Sequence, residues 1–301
     1  MPGISHSADR SRPDLVVVGD VMVDVSVEAG SLAEGGDVHG EVRIHPAGAG
    51  ANAAVWAAAE GAKTRLFARV GADLPGRLVA EALVARGVDA RLTVDPGART
   101  GAMLVVRGKG DRSMVADRGA NARLSVDDLP DPLAAGAVLV SGYLLFHPGS
   151  EEAGIGAMSR ARASFVAIDA ASWPLAAAYG RDRFESAAAC ANVLLANERE
   201  AEALAGSSGE AAWRDLLRAF DLVVVKRGRR GAVALRSSGV VEASAPPAEL
   251  VDATGAGDAF DGAFLAALAG GASTKAALQS GCRAGSGAIG TIDTWPPEPP
   301  A

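Results

Sequence analysis

Short aliphatic runs recur along the chain at residues 15–18, 65–70, 137–140, 165–168, 193–195 and 222–225. Their nearly unbroken Val, Leu and Ile content predicts strands covered on both faces, because a half-exposed strand would alternate apolar with polar positions. Between the runs, Ala-rich stretches at 51–60, 78–86, 198–204 and 211–219 have helical length, and Gly61, Gly87 and Gly206 stand where C-terminal caps belong. Strand and helix in alternation predict an α/β fold: a doubly wound, mainly parallel sheet flanked by helices. Two stretches, 25–44 and 100–117, break the rhythm. Alternating positions around Gly-rich turns predict hairpin strands there.

Composition narrows the function classes. The chain has 301 residues, 49% hydrophobic and 22% charged, enough to bury the core of one large α/β domain or two smaller ones. A net charge of -7 with 4% aromatics supplies neither a phosphate-neutralising surface nor a stacking platform, which argues against nucleic acid as a partner. Cys190 and Cys282 stand far apart and form no CxxC motif, so a reduced, cytoplasmic protein is expected. No apolar run suits a signal peptide or a bilayer span. The polar residues 1–14 are expected to be a mobile tail and 296–301 a Pro-rich tail, which leaves 15–295 for the folded domain.

The densest chemistry lies at Asp252-Ala253-Thr254-Gly255-Ala256-Gly257-Asp258-Ala259-Phe260. Small residues there run into an apolar helix with a carboxylate at the junction. A helix start offers unpaired N–H groups and a positive dipole end, glycines let an anion approach the backbone, and Asp258 stands beside it as a candidate general base. Other polar groups follow aliphatic runs: Gly19, Asp20 and Asp24 after 16–18, Asn197 and Glu200 after 193–195, and Lys226, Gly228 and Gly231 after 222–225. Ligands bind at such strand ends in open α/β sheets. An amide and a carboxylate one helical turn apart, as in Asn197 and Glu200, can order the water shell of a magnesium ion.

The order Asp-x-Thr-Gly-Ala-Gly-Asp-x-Phe resembles the C-terminal signature of the ribokinase-like (PfkB) family of sugar and nucleoside kinases. Pro46-Ala47-Gly48-Ala49-Gly50-Ala51-Asn52, followed by Gly71-Ala72-Asp73, resembles the N-terminal one, and Gly119-Ala120-Asn121 and Asn197-x-x-Glu200 fall in the family's order. The resemblance runs from about 16 to about 290 and implies ATP-dependent phosphoryl transfer to a small sugar or, as the nearest rival, a nucleoside. It implies an anion hole of Gly255, Ala256 and Gly257 beside the base Asp258, and an acceptor site of Asp24, Gly48, Gly50 and Asn52. Nucleotide contacts fall on Asn197, Lys226, Gly228 and Gly231, with Glu200 reaching Mg2+ through water. Asp252, with the backbone at 287–291, corresponds to a monovalent-cation site that only some members use, so K+ is optional. The hairpin regions correspond to a small β-sheet lid, through which a homodimer can form. Ala47 and Ala49 replace the second glycine and the lysine of ribokinases proper, and Ser141-Gly142-Tyr143 lacks their sugar-binding Glu, which disfavours ribose. The acceptor side has no Lys or Arg at 19–24 or 47–52, so a neutral acceptor is expected, unless Arg107, Lys109 and Arg112 of the lid reach over it.

From a different class, Gly48-x-Gly50-x-x-Ala53 also matches a dinucleotide fingerprint. Its context is poor for a nicotinamide-dependent dehydrogenase. Pro46 interrupts the entry strand, and the run 65–70 does not end in the acid that would grip a ribose.

Overall fold

In the computed structural model, which describes residues 12–29, 35–108, 111–290 and 294–297, every predicted aliphatic run is a strand. Side chains at 107, 108, 111 and 112 fall outside the description, as do most of the two predicted tails and hence the lid cations Arg107, Lys109 and Arg112. The chain opens with β1 (Leu15–Val18) and enters a small sheet through β2 (Met22–Glu28) and β3 (Glu41–Ala47). Helix α1 (Ala49–Ala59), β4 (Thr64–Gly71), α2 (Leu74–Ala85) and β5 (Asp89–Asp95) follow, before β6 (Gly101–Gly108) and β7 (Asp111–Asp117) complete the small sheet. After the two-residue β8 (Leu133–Ala134) come β9 (Ala137–Ser141), α3 (Glu151–Arg160), β10 (Ala161–Arg162) and β11 (Phe165–Asp169). Then α4 (Trp173–Tyr179), α5 (Arg181–Ala187), β12 (Val193–Asn197), α6 (Glu198–Ala205), α7 (Glu210–Arg214) and β13 (Leu222–Lys226) extend the main sheet and its cover. The antiparallel pair β14 (Ala232–Arg236) and β15 (Gly239–Ala243) and the helices α8 (Ala256–Ala269) and α9 (Thr274–Ala288) close the fold.

Among the described residues, nine strands form the main sheet in the order β15-β14-β13-β12-β11-β9-β1-β4-β5. It is parallel from β5 to β13 and antiparallel only at β14 and β15. The near-continuous aliphatic strands are explained by two separate cores. Leu15 and Val17 of β1, Val193 and Leu195 of β12, and Leu222 and Val224 of β13 pack into one, while Val16, Val18, Leu194, Val223 and Val225 pack into the other. Successive residues point to opposite faces, so both faces must be apolar.

Several expectations need correction. The helix expected at 211–219 breaks into α7 and a 3-10 turn at Asp215–Arg218, a tighter winding that lines up Trp213 and Leu216 on the core side. The segment 16–24 is not one strand end: β1 stops at Val18, and Asp24 lies within β2 of the small sheet. β5 and β15 carry more polar sequence than the aliphatic runs and were not foreseen; nor was β14, although its Ala232–Leu235 is aliphatic and buried. Gly61, Gly87 and Gly206 do take positive φ (87°, 76° and 77°) at helix ends.

The two predicted hairpins combine in one small sheet, ordered β3-β2-β6-β7. Register aligns His45, Asp24, Met103 and Ala116 on one face and Ile44, Val25, Leu104 and Val115 on the other. The first row includes the buried Asp24. The second is solvent-exposed at Ile44 (62%), Leu104 (41%) and Val115 (66%), and Val42 (60%) extends it by one row.

Candidate active site

Five of the predicted runs continue past their aliphatic residues, and four of those strands end on a polar side chain: Ser141 on β9, Asp169 on β11, Asn197 on β12 and Lys226 on β13. Parallel pairing delivers all four to the same edge, where Ser141, Asp169 and Lys226 lie beside the first turns of α8. A small cleft between the ends of β9 and β11 and the start of α8 is lined by Gly50, Ser141, Asp169, Asp258 and Asp261.

Helix α8 starts at a Gly255 in the left-handed region (φ 76°), with Asp258 in its first turn. It lies against α1 at a distance only glycine permits: a Cβ on Gly262 would come within 2.1 Å of the Ala53 carbonyl oxygen. That contact brings Asn52 of α1 to Asp258, and the amide Nδ2 donates to Asp258 Oδ2 at 2.8 Å. The other end of the amide is fixed as well. Asn52 Oδ1 accepts from Thr294 Oγ1 at 3.1 Å and from Trp295 Nε1 at 2.9 Å. The turn before α1 is equally tight, since a Cβ on Gly50 would lie 2.7 Å from the Gly19 carbonyl carbon and one on Gly48 2.5 Å from the Asp20 carbonyl oxygen. Both glycines thus have a packing role against the end of β1, and Gly50 also reaches the cleft.

Lys226 does not extend into solvent. Its Nζ donates to Asp261 Oδ2 at 2.8 Å and to Asp169 Oδ1 at 3.2 Å, and a Cβ on Gly257 would sit 3.4 Å from it. A buried cation therefore backs the glycine turn. Burial alone would lower its pKa, but Asp169, Asp261 and Glu200 outweigh that and hold it above its ordinary value. Asp258 keeps partial solvent access, yet burial dominates its ionisation. The Asn52 bond and Lys226 oppose the rise, Asp169 and Glu200 add to it, and the carboxyl is pushed up to about 7. Burial and Asp169 likewise push Glu200 up to about 7, against the pull of Lys226 and the Asn197 bonds. Asp261 is raised by burial, with Lys226 opposing.

Asn197 and Glu200 form a reciprocal cap. Glu200 takes the Asn197 backbone N–H (2.7 Å) and Nδ2 (2.6 Å), and Asn197 Oδ1 takes the Glu200 N–H (3.0 Å). Their position beside Asp169 and Lys226 joins them to the cluster. Gly228 and Gly231 bracket a 3-10 turn after β13, where Arg227 pairs with Glu242 and Arg230 with Glu198. Gly231 is also required by packing, because a Cβ there would meet the Ala243 carbonyl. Asp252 accepts from the N–H and hydroxyl of Thr254 (2.9 and 2.8 Å), and its own N–H reaches the Ile289 carbonyl, which brings 251–252 beside 287–290; Thr291 lies outside the described residues. Asp24, buried in the small sheet, has His45 Nε2 at 4.0 Å.

Sequence reasoning missed Ser141, Asp169, Asp261, Thr294 and Trp295 as members of this neighbourhood. It also missed the pairing of Arg118 with Asp20, at 2.9 and 2.7 Å. Asp169 carried the same signal as Asn197 and Lys226, a polar residue closing an aliphatic run. Asp261 is three residues after Asp258, on the same side of α8. Asn121 bonds the Val21 N–H and carbonyl (3.0 and 2.8 Å), tying the return from the small sheet to the point where the chain enters it.

The profile of the pfkB family carbohydrate kinases matches residues 12–300. The 2-dehydro-3-deoxygluconokinase of Thermoproteus tenax is 32% identical over 78% of this chain and 76% of its own. The ribokinase of Mus musculus is 32% identical over 85% and 81%. A protein described as ribokinase II from E. coli, solved with ATP and Mg2+, superposes with a TM-score of 0.82 at 25% identity, over 93% of this chain and 94% of that one. Fold, motif order and relatives agree, and the chain belongs to the pfkB family of carbohydrate kinases.

Proposed function

We propose that this kinase moves the γ-phosphoryl group of ATP to a hydroxyl of a small neutral sugar, with Asp258 as general base. The observation that carries the reading is the Asp258 carboxylate itself. It opens α8 beside a glycine turn, is aimed by Asn52, and is pushed up to about 7, where a base can take and release a proton near neutral pH. As the acceptor oxygen attacks the γ-phosphorus and the bond to ADP breaks, the hydroxyl proton passes to Asp258. The N–H groups of Gly255, Ala256 and Gly257 receive charge on the transferring group, and Lys226 adds a fixed positive charge behind them.

Asp24, Gly48, Gly50 and Asn52 hold the acceptor; Asn197, Lys226, Gly228 and Gly231 serve the nucleotide side. A turn with no Cβ on Gly257, backed by an ammonium, fits a phosphate. Both Glu200 oxygens already accept from Asn197, which suits a carboxylate that reaches Mg2+ through water. When bound with the nucleotide, Mg2+ would offset phosphate charge. Asp252 with 287–290 is the candidate K+ site. The small sheet acts as a lid that excludes water, and its exposed outer face is the surface for a homodimer.

Neutrality of the acceptor rests on charge. Arg118 is bound by Asp20, and Lys226 by Asp169 and Asp261, so neither guanidinium nor ammonium is spare for an acceptor phosphate, while Asp24 and Asp258 repel one. ADP release, measured with pentoses, hexoses, keto-deoxy acids and nucleosides and with their monophosphates, tests the reading. A higher kcat/KM for a sugar phosphate would overturn neutrality. Stabilisation by NAD and not by Mg-ATP would overturn the kinase itself.

A further inference from the structure

Two buried polar atoms of the cleft have no hydrogen-bond partner among the described residues: the Ser141 hydroxyl, on a residue 4% exposed, and Oδ1 of Asp261, on a residue 1% exposed. Folded proteins rarely leave such atoms unpaired, and the usual explanation is an ordered water or ligand. Both line the cleft that Asp169 and Asp258 also line. Asp261 Oδ2 is taken by Lys226, which leaves Oδ1 as the carboxylate oxygen without a partner.

We propose that Ser141 Oγ and Asp261 Oδ1 hold one water molecule against the Asp258 carboxylate, and that this water donates to the carboxylate and keeps it ionised and aimed for proton abstraction. The site offers a water three partners, within the usual complement of a buried water. Val17, Leu139 and Ala53 wall the same cleft, and so small a space beside aliphatic side chains suits a water better than a sugar carbon. Water arrives without a skeleton.

The inference rests on Asp258 being the base. Asn52 from α1, Asp169 from β11, Glu200 from α6, Lys226 from β13 and Asp261 on α8 itself act on its charge, and Tyr143, just after β9, feels that charge as well. Asn52 and Lys226 favour the ionised form, and burial, Asp169 and Glu200 oppose it. A donated hydrogen bond from water sides with Asn52. Ser141 is then a positioning residue: it touches the water, and the water touches the base.

Ser141→Ala removes one anchor and leaves the Lys226 cluster intact. With the best acceptor of the ADP-release screen, the acid limb of the kcat/KM profile should move to higher pH. Below the limb the rate should fall roughly two- to tenfold relative to wild type, the equilibrium worth of one hydrogen bond. On the alkaline plateau, where Asp258 is ionised without the water, the loss should be smaller than below the limb, and the KM for ATP should change least. High-resolution crystal structures form the second arm, independent of how the variant folds: wild type should show a water within hydrogen-bond distance of Ser141 Oγ, Asp261 Oδ1 and Asp258. An unmoved acid limb, an empty floor, or an acceptor hydroxyl in that place would overturn the proposal. Asp258→Asn separates the two readings. If it stays active, the base assignment fails; if it is inactive while the Ser141→Ala limb does not move, only the water fails.

Discussion

Replacing Asp258 with Asn should remove turnover and, above neutral pH, make the protein more stable. Burial and the Asp169 and Glu200 carboxylates raise Asp258 from 3.8 to about 7, so ionisation is harder in the folded state than in the unfolded one. An acid raised on folding favours the native state fully only below its unfolded pKa, and that advantage is lost as pH climbs to the folded value. Three units at about 1.4 kcal/mol each set an upper limit of about 4 kcal/mol; partial solvent access to Asp258 reduces this to about 2–4 kcal/mol. The neutral amide has no such cost. Urea unfolding of both proteins from about pH 4 to about pH 9 reads the difference directly. The Asn variant should gain little at the acid end, gain progressively up to about pH 7, and keep a constant advantage above it. Activity should fall by roughly 10²- to 10⁴-fold, the usual worth of a general base. A stability difference that is absent, or that does not change with pH, would refute the electrostatic reasoning even if turnover were lost.

Asp24→Ala should raise the acceptor KM by an amount equivalent to about 1.5–3 kcal/mol and leave the ATP KM nearly unchanged; the opposite pattern in steady-state assays would put Asp24 on the wrong side of the site. Gly262→Ala forces a methyl against the Ala53 carbonyl and should destabilise by about 1–3 kcal/mol while lowering kcat more than Gly270→Ala, whose Cβ would lie no closer than 3.4 Å to its neighbours; chemical denaturation and turnover check both halves. Ile44→Glu with Val115→Glu places charges on the exposed face of the small sheet and should convert a dimer to monomer in light scattering, whereas a wild-type protein that is already monomeric would remove the homodimer proposal.

Most of the main sheet could be read from the chain because a strand buried on both faces must be aliphatic at every position, as Val16, Val17 and Val18 are. The polar ends were harder. Ser141, Asp169 and Lys226 still pair within their strands, but a hydrophobicity pattern ends one residue too early for each, at the place where the chemistry begins. Asp258 and the glycine turn were legible because their sequence is itself the local structure: a left-handed Gly255 followed by a first-turn acid. The partners of Asp258 were not. Thr294 and Trp295 lie more than 240 positions from Asn52 and meet it only because the segment after α9 returns to α1, where Trp56 Nε1 also bonds the Thr294 carbonyl. Asp24 was legible as a residue and misplaced as a structure, since nothing in 16–24 marks the turn at Gly19–Val21 where the chain leaves one sheet for the other.

The grip of Thr294 and Trp295 on the Asn52 carbonyl makes that amide a one-way reader. With its oxygen saturated by two donors, it can offer Asp258 only N–H, and a flipped amide would set donors against donors. Chemical ageing would expose this dependence. Hydrolysis of the Asn52 amide to a carboxylate would leave Thr294 and Trp295 bonded as before and the helices unmoved, but it would turn a second negative charge toward Asp258. The base would then hold its proton through neutral pH. Such a molecule would be folded and indistinguishable in shape from a fresh one, yet silent, so loss of activity on storage should follow deamidation at this position more closely than any loss of structure.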